Sequence, residues 1–329
     1  MAGYGVARGL GGSRGIGVAG LRGGGQEIRV GPGARLISDA PAVSSAYADS
    51  DPPLIVGWGA MRDDAVIDDA AVVARLRSAG CVFAEDEAEL LHAQALGDAE
   101  QLAAMVRSRV AGKPLELVLG WAEFCGRRIA VDPGVFVPRR RTEFLVQQAL
   151  PLLGSGDVVI DLCCGAGAVG AAVMDALHER GGIELHAADI DARAVRCAAR
   201  NLADAIDGGT AFVYEGDLDA PLPAHLAGHV GLLVANVPYV PSAEISLLPA
   251  EARDYEPLTA LDGGADGLDV LRRVAQAAPR WLRPGGSVLI EISERQRDAA
   301  VAAFRMAGLE PAVHESDAYF TTVLAGRFG

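Results

Sequence analysis

Residues 157–167 read Asp-Val-Val-Ile-Asp-Leu-Cys-Cys-Gly-Ala-Gly, and this stretch decides the fold. Its apolar first half has the length of a buried strand, and its glycines let the backbone turn into a helix predicted to end near residue 180. Further strands are predicted at 183–189, 211–214, 230–235 and 287–292, with helices at 192–203, 268–282 and 294–307 and two more strands in the tail. Such alternation predicts a parallel, doubly wound α/β sheet that binds its ligand beyond the carboxyl ends of the strands.

Candidate ligand-binding residues follow the first three strands of this sheet. Gly165, Gly167 and Gly170 have the G-x-G-x-x-G spacing, which leaves open whether the ligand is NAD or another adenosine compound. Asp189 ends the second strand, 22 residues beyond Gly167, where an acid can hold ribose hydroxyls. Asp217, after the third strand, can accept a hydrogen bond from an adenine amino group. The predicted cofactor-binding set is completed by Asp161, Cys163, Ile190 and Asn236.

The fourth strand runs directly into Asn236-Val237-Pro238-Tyr239, a near match to the N-P-P-Y signature of enzymes that methylate planar nitrogens with S-adenosylmethionine. An amide nitrogen is a poor nucleophile because its lone pair is delocalised, so a site must orient the NH₂ group toward the methyl donor. The Asn236 oxygen and the Val237 carbonyl can accept its two N–H groups. Pro238 fixes the backbone, and Tyr239 offers a ring face for a flat group. We therefore predict that these four residues are catalytic.

The first sixty residues have a different composition from the rest of the chain. They hold 15 of the 41 glycines and show neither a helical nor a strand period, so we predict that residues 1–60 are disordered. Met61 would be a natural alternative start. Residues 61–112 are predicted to form a small helical domain, with Asp98 capping a helix that continues through Val110.

A β-hairpin linker is predicted over residues 113–140. Its strands would be Leu115–Gly120 and Cys125–Val131, followed by a turn at Asp132-Pro133-Gly134. Residues 141–329 would then form the catalytic domain.

Composition excludes several classes of protein. The chain has 329 residues and a formal charge of −14. Five arginines and four acids in residues 1–60 leave −15 on residues 61–329, which argues against a nucleic-acid partner. No apolar run has the length of a membrane helix. Five cysteines indicate reduced thiols in a cytoplasmic protein rather than a disulfide framework. Cys163-Cys164 has no ligand set around it, so we expect no metal site.

Over about residues 70–329 the chain resembles the HemK/PrmC family of release factor glutamine methyltransferases. The resemblance rests on several blocks in order: Leu115–Gly120, Phe124–Arg139, Thr142-Glu143, Asp161–Gly167, Asp189, Asn236–Tyr239, Tyr255-Glu256-Pro257, Leu261–Leu268, Pro284-Gly285-Gly286 and Glu291-Ile292. It implies a helical substrate-recognition domain, a hairpin linker and a seven-stranded Rossmann-like domain that binds S-adenosylmethionine. It also implies transfer of a methyl group to N5 of the glutamine in the Gly-Gly-Gln loop of a peptide chain release factor. Gly165, Gly167, Asp189 and Asp217 would bind the cofactor, and Asn236 to Tyr239 would hold the glutamine amide.

The chain departs from the family pattern at three places. Val237 replaces a proline, Arg140 and Arg141 replace a proline and an acid, and the two cysteines replace a glycine and a threonine. These changes indicate a divergent branch, whose substrate is a release factor or another glutamine-bearing protein. One alternative function is methylation of an exocyclic amine of RNA or DNA, for which Arg139–Arg141 would supply local positive charge. A non-catalytic binding module and an NAD enzyme are further alternatives.

Overall fold

In the computed structural model, residues 68–329 are described, and the predicted disorder of residues 1–60 lies outside them. Within the described residues, two strands form a hairpin and seven form a central sheet. The strands are β1 (Trp121–Phe124), β2 (Arg127–Ala130), β3 (Asp157–Leu162), β4 (Ile183–Asp189), β5 (Ala211–Glu215), β6 (Val230–Ala235), β7 (Leu282–Ile292), β8 (Leu309–Ser316) and β9 (Thr321–Phe328).

The central sheet has the order β5-β4-β3-β6-β7-β9-β8. Its first five strands are parallel, whereas β9 pairs antiparallel with β7 and β8 pairs antiparallel with β9. The predicted α/β sheet and its two tail strands are thus confirmed, and the tail closes the sheet as an antiparallel hairpin. The order reverses beside β3, so the carboxyl ends of β3, β4 and β6 surround one crevice, where ligands bind in doubly wound sheets.

Helices cover both faces of the sheet. Alternate residues of β3 enter opposite cores, with Val159 on one face and Ile160 on the other. Among the described residues the helices are α1 (Asp69–Ser78), α2 (Ala84–Ala95), α3 (Ala99–Val110), α4 (Leu115–Leu119), α5 (Glu143–Ala149), α6 (Ala168–Leu177), α7 (Ala192–Asn201), α8 (Ala203–Asp207), α9 (Ala250–Tyr255), α10 (Leu258–Leu261), α11 (Asp269–Trp281) and α12 (Arg297–Met306). None of them is long and apolar enough to cross a bilayer.

Helices α1 to α3 form a small core of their own around Leu76, Leu91 and Val106. The predicted cap of α3 is confirmed, since the Asp98 carboxylate accepts hydrogen bonds from the backbone N–H groups of Glu100 and Gln101. Each of the three helices is too short to be stable alone, so the shared apolar core holds them.

The prediction of a strand at Leu115–Gly120 is wrong, because these residues form α4 and its end. Alternating leucines suggested a strand, yet Pro114 precedes the helix and Gly120 ends it at a φ of 81°. Leu119 packs in the core of the helical part. The hairpin is instead β1–β2, with the turn at Cys125-Gly126. The boundaries at 112 and 140 remain predictions.

Arg109 joins the helical part to the chain that follows the fourth parallel strand. Its guanidinium lies 2.7 Å from Glu87 on α2 and 2.6 Å from Glu251 on α9. These hydrogen bonds raise the pKa of Arg109, although burial opposes them. Because α9 borders the crevice at the strand ends, the helical part helps to hold one wall of that crevice.

Candidate active site

A cavity of about 580 Å³ lies at the carboxyl ends of the parallel strands. Most of the residues predicted from the sequence to form the site line it: Cys163, Gly165, Asp189, Ile190, Asp217, Asn236, Val237, Pro238 and Tyr239. Asp161, Gly167 and Gly170, which were also candidates, do not border it. The segment after the hairpin and the segment after Tyr239 supply further walls. This is the size and the place expected of a small-molecule site in a doubly wound sheet.

The glycine loop after β3 is tied directly to the end of β4. The Gly165 N–H donates a 2.8 Å hydrogen bond to Asp189 Oδ2, and the Asp191 N–H donates one of 2.9 Å to Asp189 Oδ1. Gly165 adopts a φ of 55°, and so does Cys163, a left-handed conformation that is unusual for a residue with a side chain. The loop therefore presents backbone to the cavity in a conformation that the Asp189 carboxylate fixes.

Asp189 itself lies on the cavity wall and retains lone pairs that can accept from ribose hydroxyls. Burial raises the pKa of Asp189, while the N–H groups of Asp191 and Gly165 act in the opposite direction. Ile190, the next residue, is 56% exposed and offers an apolar surface beside the carboxylate. An acid and an apolar face side by side suit a nucleoside.

Asp161 and Gly167 lie behind the loop and support it. Asp161 Oδ2 accepts a 3.1 Å hydrogen bond from the Gly170 N–H, and burial raises the pKa of this carboxyl to about 7. A Cβ added to Gly167 would lie 3.1 Å from the Ala198 Cβ on α7. The small size of Gly167 thus allows α6 and α7 to approach each other. Direct cofactor contacts by these two residues remain predictions.

Asp217 faces the cavity in an ion pair that the sequence did not reveal. Its Oδ2 lies 2.8 Å from Arg273 Nη2, and both side chains are about half exposed. Arg273 stands on the amphipathic helix α11, where one arginine among several gives no signal of a site. The second oxygen of Asp217 stays available for an amino group of a ligand.

The loop Asn236–Tyr239 is held mainly by residues distant in the sequence. The Tyr239 carbonyl accepts a 2.9 Å hydrogen bond from Gln296 Nε2, and Val240 pairs with Leu261 and Gly263 through backbone bonds of 3.0 and 2.9 Å. A Cβ at Gly263 would lie 2.6 Å from the Pro238 carbonyl. The chain after Tyr239 therefore packs against the loop so closely that a side chain at Gly263 is excluded.

The Asn236 side chain is oriented by a hydrogen-bonded chain of three residues. Thr142 Oγ1 donates to Glu291 Oε2 at 2.7 Å and accepts from Asn236 Nδ2 at 3.4 Å. Glu291 is 2% exposed. Because the Thr142 proton is committed to the carboxylate, the threonine oxygen can only accept from the asparagine. The Asn236 Oδ1 atom is thereby left available as an acceptor.

The Tyr239 side chain is held in place by Arg141, which is one of the residues that depart from the family pattern. Arg141 Nη2 donates to the Tyr239 hydroxyl, its Nε donates to Glu291 Oε1 at 2.9 Å, and its guanidinium carbon lies 5.5 Å from the Tyr239 ring centroid. Glu291 thus joins the two ends of the reaction loop, one through Thr142 and one through Arg141. No local pattern in the sequence indicated that Glu291 belongs to the site, although Glu291-Ile292 lies in a block that resembles the family.

Arg139 also forms an ion pair, with the buried carboxylate of Glu256. Its Nη2 lies 2.5 Å from Glu256 Oε1, which accepts a 3.3 Å bond from the Val137 N–H as well. Burial raises the pKa of Glu256, and Arg139 acts in the opposite direction. Two of the three consecutive arginines therefore bind buried carboxylates beside the cavity, and Arg140 is exposed.

The vicinal cysteines are not activated. Burial raises the pKa of both Cys163 and Cys164, so neither is a thiolate at neutral pH. Within residues 68–329, no group of three or more His, Cys, Asp or Glu side chains is arranged to hold a metal ion.

Similarity to known proteins agrees with this geometry. The family described as "methyltransferase small domain" matches residues 126–247, which include the glycine loop and the reaction loop. The release factor glutamine methyltransferase of Geobacter sulfurreducens is 35% identical over 234 residues, which cover 70% of this chain and 80% of the relative. The chain belongs to the release factor glutamine methyltransferase family.

Other members extend the match. The relative from Mycolicibacterium smegmatis is 35% identical over 251 residues, 71% of this chain and 86% of its own. A solved protein-(glutamine-N5) methyltransferase from Alicyclobacillus acidocaldarius is 22% identical, covers 58% of this chain and 94% of its own, and superposes with a TM-score of 0.34. The sequence relatives confirm the expected family, and the seven-stranded sheet described above confirms the expected fold.

The cavity wall fits the S-adenosylmethionine on which this family depends. Gly165 brings backbone without a side chain to the wall, and an added Cβ there would meet open space, which leaves room for a ligand. Asp189 supplies acceptors for a ribose, and Asp217 supplies one for an amino group. The donor and acceptor types therefore agree with an adenosine-bearing cofactor.

Proposed function

We propose that this chain transfers a methyl group from S-adenosylmethionine to the side-chain amide nitrogen of a glutamine in a peptide chain release factor. The observation that carries the proposal is the orientation of Asn236, whose Oδ1 is left as an acceptor by the Thr142–Glu291 pair. An acceptor fixed next to a cofactor site is what an amide NH₂ group requires. The names of the relatives support the release factor as substrate.

The cofactor would be held by residues at the ends of β3, β4 and β5, namely Gly165, Asp189, Ile190 and Asp217, with Cys163 beside them. When bound, S-adenosylmethionine supplies an electrophilic methyl group on a sulfonium. The carboxylate of Asp189 would accept from ribose hydroxyls, and the free oxygen of Asp217 would accept from the adenine amino group. The role of Asn236 at the cofactor is part of the same proposal.

The reaction loop would act by orientation. Asn236 Oδ1 accepts one N–H of the glutamine amide, and the Val237 carbonyl accepts the other, so the amide plane is fixed relative to the cofactor site. Val237 can replace proline because the carbonyl is the functional group and its side chain is buried. Pro238 holds the backbone, and Tyr239, fixed by Arg141, packs against the flat amide. Orientation of this kind lowers a barrier without requiring a strong base.

The proposed partner and location follow from this substrate. A release factor acts in translation, so we place the protein in the cytoplasm. The negative charge of residues 61–329 opposes binding of RNA or DNA. Arg139 and Arg141 are paired with carboxylates and so are poor candidates for phosphate contacts.

A transfer assay tests the proposal. Tritium-labelled S-adenosylmethionine is incubated with the purified protein and, separately, with unmethylated release factor, with release factor whose Gly-Gly-Gln glutamine is changed to alanine, and with total RNA. We expect label on the unmethylated factor and none on the alanine variant.

Two outcomes would contradict the proposal. Label on RNA alone would favour the methylation of an exocyclic amine. Absence of label from both substrates, with the cofactor bound, would exclude the release factor and direct the search to glutamine-bearing proteins in whole-cell extract.

A further inference from the structure

Gln296 lies immediately before α12 and is buried, with 8% of its surface exposed. Its spacing from Ser293 is that of a capping box, and the structure contains the box. Gln296 Oε1 accepts a hydrogen bond of 3.4 Å from the Ser293 N–H and one of 2.8 Å from the Ser293 hydroxyl. Capping uses only the side-chain oxygen, so it does not account for the two N–H donors of the Gln296 amide.

These two donors hold the reaction loop and the turn that packs against it. Gln296 Nε2 donates to the Tyr239 carbonyl at 2.9 Å and to the Asp266 carbonyl at 3.0 Å. A Cβ added to Gly267 would collide with both the Tyr239 carbonyl oxygen and Gln296 Nε2. Since every polar atom of the buried amide is paired, its orientation is fixed, because a flipped amide would place its oxygen against two carbonyl oxygens.

The peptide bond between Tyr239 and Val240 is therefore held on both edges. Gln296 binds its carbonyl, and its N–H, that of Val240, donates to the Leu261 carbonyl at 3.0 Å. Because a peptide bond is planar, two hydrogen bonds on opposite edges prevent its rotation. The Tyr239 hydroxyl is held separately by Arg141, so this residue is fixed at its side chain and at its backbone.

The direction of the Tyr239 carbonyl restricts the functional groups that precede it. The ring of Pro238 fixes its own φ, and the residue before a proline is confined to extended conformations. Between the carbonyls of Val237 and Tyr239, only ψ of Pro238 and the two dihedral angles of Tyr239 can vary. Rotation of the Tyr239 carbonyl would therefore also turn the Tyr239 ring or the Val237 carbonyl.

We propose that Gln296 is a positioning residue for methyl transfer. Its N–H groups fix the Tyr239–Val240 peptide and thereby the direction in which the reaction loop presents the Val237 carbonyl and the Tyr239 ring to the glutamine amide. Gln296 does not line the cavity, so it acts through the loop and not by contact with substrate or cofactor. This inference rests on the proposed function, because it takes the reaction loop as the site that orients the substrate.

Gln296→Glu separates positioning from capping. A capping box accepts glutamate as well as glutamine, and a negative charge at the start of α12 is favoured by the helix dipole. The carboxylate keeps the acceptor for Ser293 but loses both N–H donors and turns an oxygen toward the Tyr239 and Asp266 carbonyls. Capping alone therefore predicts full turnover for Gln296→Glu, whereas positioning predicts a loss.

Two further variants complete the design. Gln296→Met has a similar volume and no donor, so it should reproduce the loss without introducing a charge. Phe304→Leu alters a fully buried side chain in the middle of α12 and leaves the reaction loop untouched. It is the control for a general loss of stability, because a smaller core residue lowers the midpoint of thermal unfolding.

We expect kcat with release factor to fall about ten- to hundredfold in both Gln296 variants, as for a misoriented reacting group. The KM for release factor and the Kd for S-adenosylhomocysteine should stay within about twofold of the wild-type values, because no binding group is removed. Phe304→Leu, assayed well below its unfolding midpoint, should keep the wild-type kcat.

Amide hydrogen exchange, followed by mass spectrometry, gives a readout that does not require methyl transfer. The peptide that contains Asn236–Val240 should exchange faster in both Gln296 variants than in the wild type or in Phe304→Leu, because the Val240 N–H opens more often when the neighbouring carbonyl is released.

Wild-type kcat in Gln296→Glu would overturn the inference, and so would unchanged exchange in the two Gln296 variants. An equal loss of kcat in Phe304→Leu would assign the effect to stability and overturn it as well. Rapid exchange of the Val240 N–H in the wild type would do so however the variants fold. If the wild type did not methylate the release factor, the proposed function would fail, and the exchange rates would still decide whether Gln296 holds the loop.

Discussion

The two sides of the cavity are constructed in different ways. The cofactor side is made from turns that follow β3, β4 and β5, and its main internal bonds join Gly165 and Asp191 to Asp189. The reaction side is a loop held by Thr142 and Glu291, which are 94 and 55 positions away from Asn236 in the chain. One side is formed by neighbouring strand ends, and the other depends on contacts that exist only in the folded domain.

This difference separates the residues expected to bind the cofactor from those expected to orient the substrate for methyl transfer. Strand ends give a cofactor site as soon as the parallel sheet is assembled, because the carboxyl ends of adjacent strands meet at one edge. The reaction loop must also be oriented, and its orienting groups lie around Glu291 on β7 and at the start of α5. Changes on the cofactor side should therefore alter affinity, whereas changes around the reaction loop should alter turnover.

The largest expected effect is that of Asn236→Ala. Removing the acceptor should lower kcat about 10²- to 10³-fold, the scale seen when one group that orients or stabilises a reacting centre is deleted. The affinity for S-adenosylmethionine, measured by calorimetry, should fall far less than kcat, because Asp189 and Gly165 still hold the cofactor when the predicted Asn236 contact is lost. A variant with near-normal turnover would remove Asn236 from the mechanism.

Asp189→Ala should have the opposite signature. The variant loses the acceptor for two backbone N–H groups and the predicted ribose contact, so the Kd for the cofactor should rise about ten- to hundredfold. At saturating cofactor, kcat should stay near the wild-type value. Glu215→Ala is the control, since Glu215 ends the neighbouring strand and does not line the cavity. An unchanged Kd would argue against the ribose contact.

Thr142→Val tests the orientation of the reaction loop from a distance. Valine keeps the shape of threonine but removes the hydroxyl that links Glu291 to Asn236, so kcat should fall about tenfold with little change in cofactor affinity. Thr142→Ser keeps the hydroxyl and should retain most of the activity. If valine and serine behaved alike, the orientation of Asn236 would have to come from another contact.

The smallest effect concerns pH and the support behind the glycine loop. Burial raises the pKa of Asp161 to about 7, so between about pH 4 and pH 7 the folded protein keeps a proton that the unfolded chain has released. The contribution of this carboxyl to stability should thus fall as the pH rises through that window.

Asp161→Asn carries no charge at any pH and can still accept from the Gly170 N–H. The difference in unfolding midpoint between this variant and the wild type should therefore grow by a few degrees from pH 5 to pH 8, as followed by calorimetry. Asp207→Asn, an exposed acid at the end of α8, should show no such trend. A constant difference for Asp161→Asn would contradict the raised pKa.

The sequence predicted the central fold well because each parallel strand has its own local signal. The apolar runs at 183–189 and 230–235 coincide with β4 and β6. The local pattern was misleading at Leu115–Gly120, where alternating leucines suggested a strand but these residues form the helix α4. A segment of five residues is too short to distinguish the two-residue period of a strand from the 3.6-residue period of a helix. Packing of Leu119 against the core of α1 to α3 favours the helix.

The residues of the site also fall into two groups, those that a local sequence pattern places at the cavity and those that it does not. Gly165, Asp189, Asn236 and Tyr239 follow strands, so their position in the sequence places them at the cavity. Arg273, Glu256 and Arg109 gave no such signal from their spacing. Each is one charged residue among many until the fold brings it to a partner, and an arginine on an exposed helix face is usually only solvated.

The sequence by itself determined the doubly wound sheet, the strand ends that carry the predicted site and the identity of the reaction loop, because these follow from local hydrophobic pattern and adjacent turns. Only the tertiary structure decided which way Asn236 points and which carboxylates Arg139 and Arg141 bind. The reason is physical: hydrogen bonds and ion pairs between residues more than ninety positions apart depend on distances that no local pattern contains.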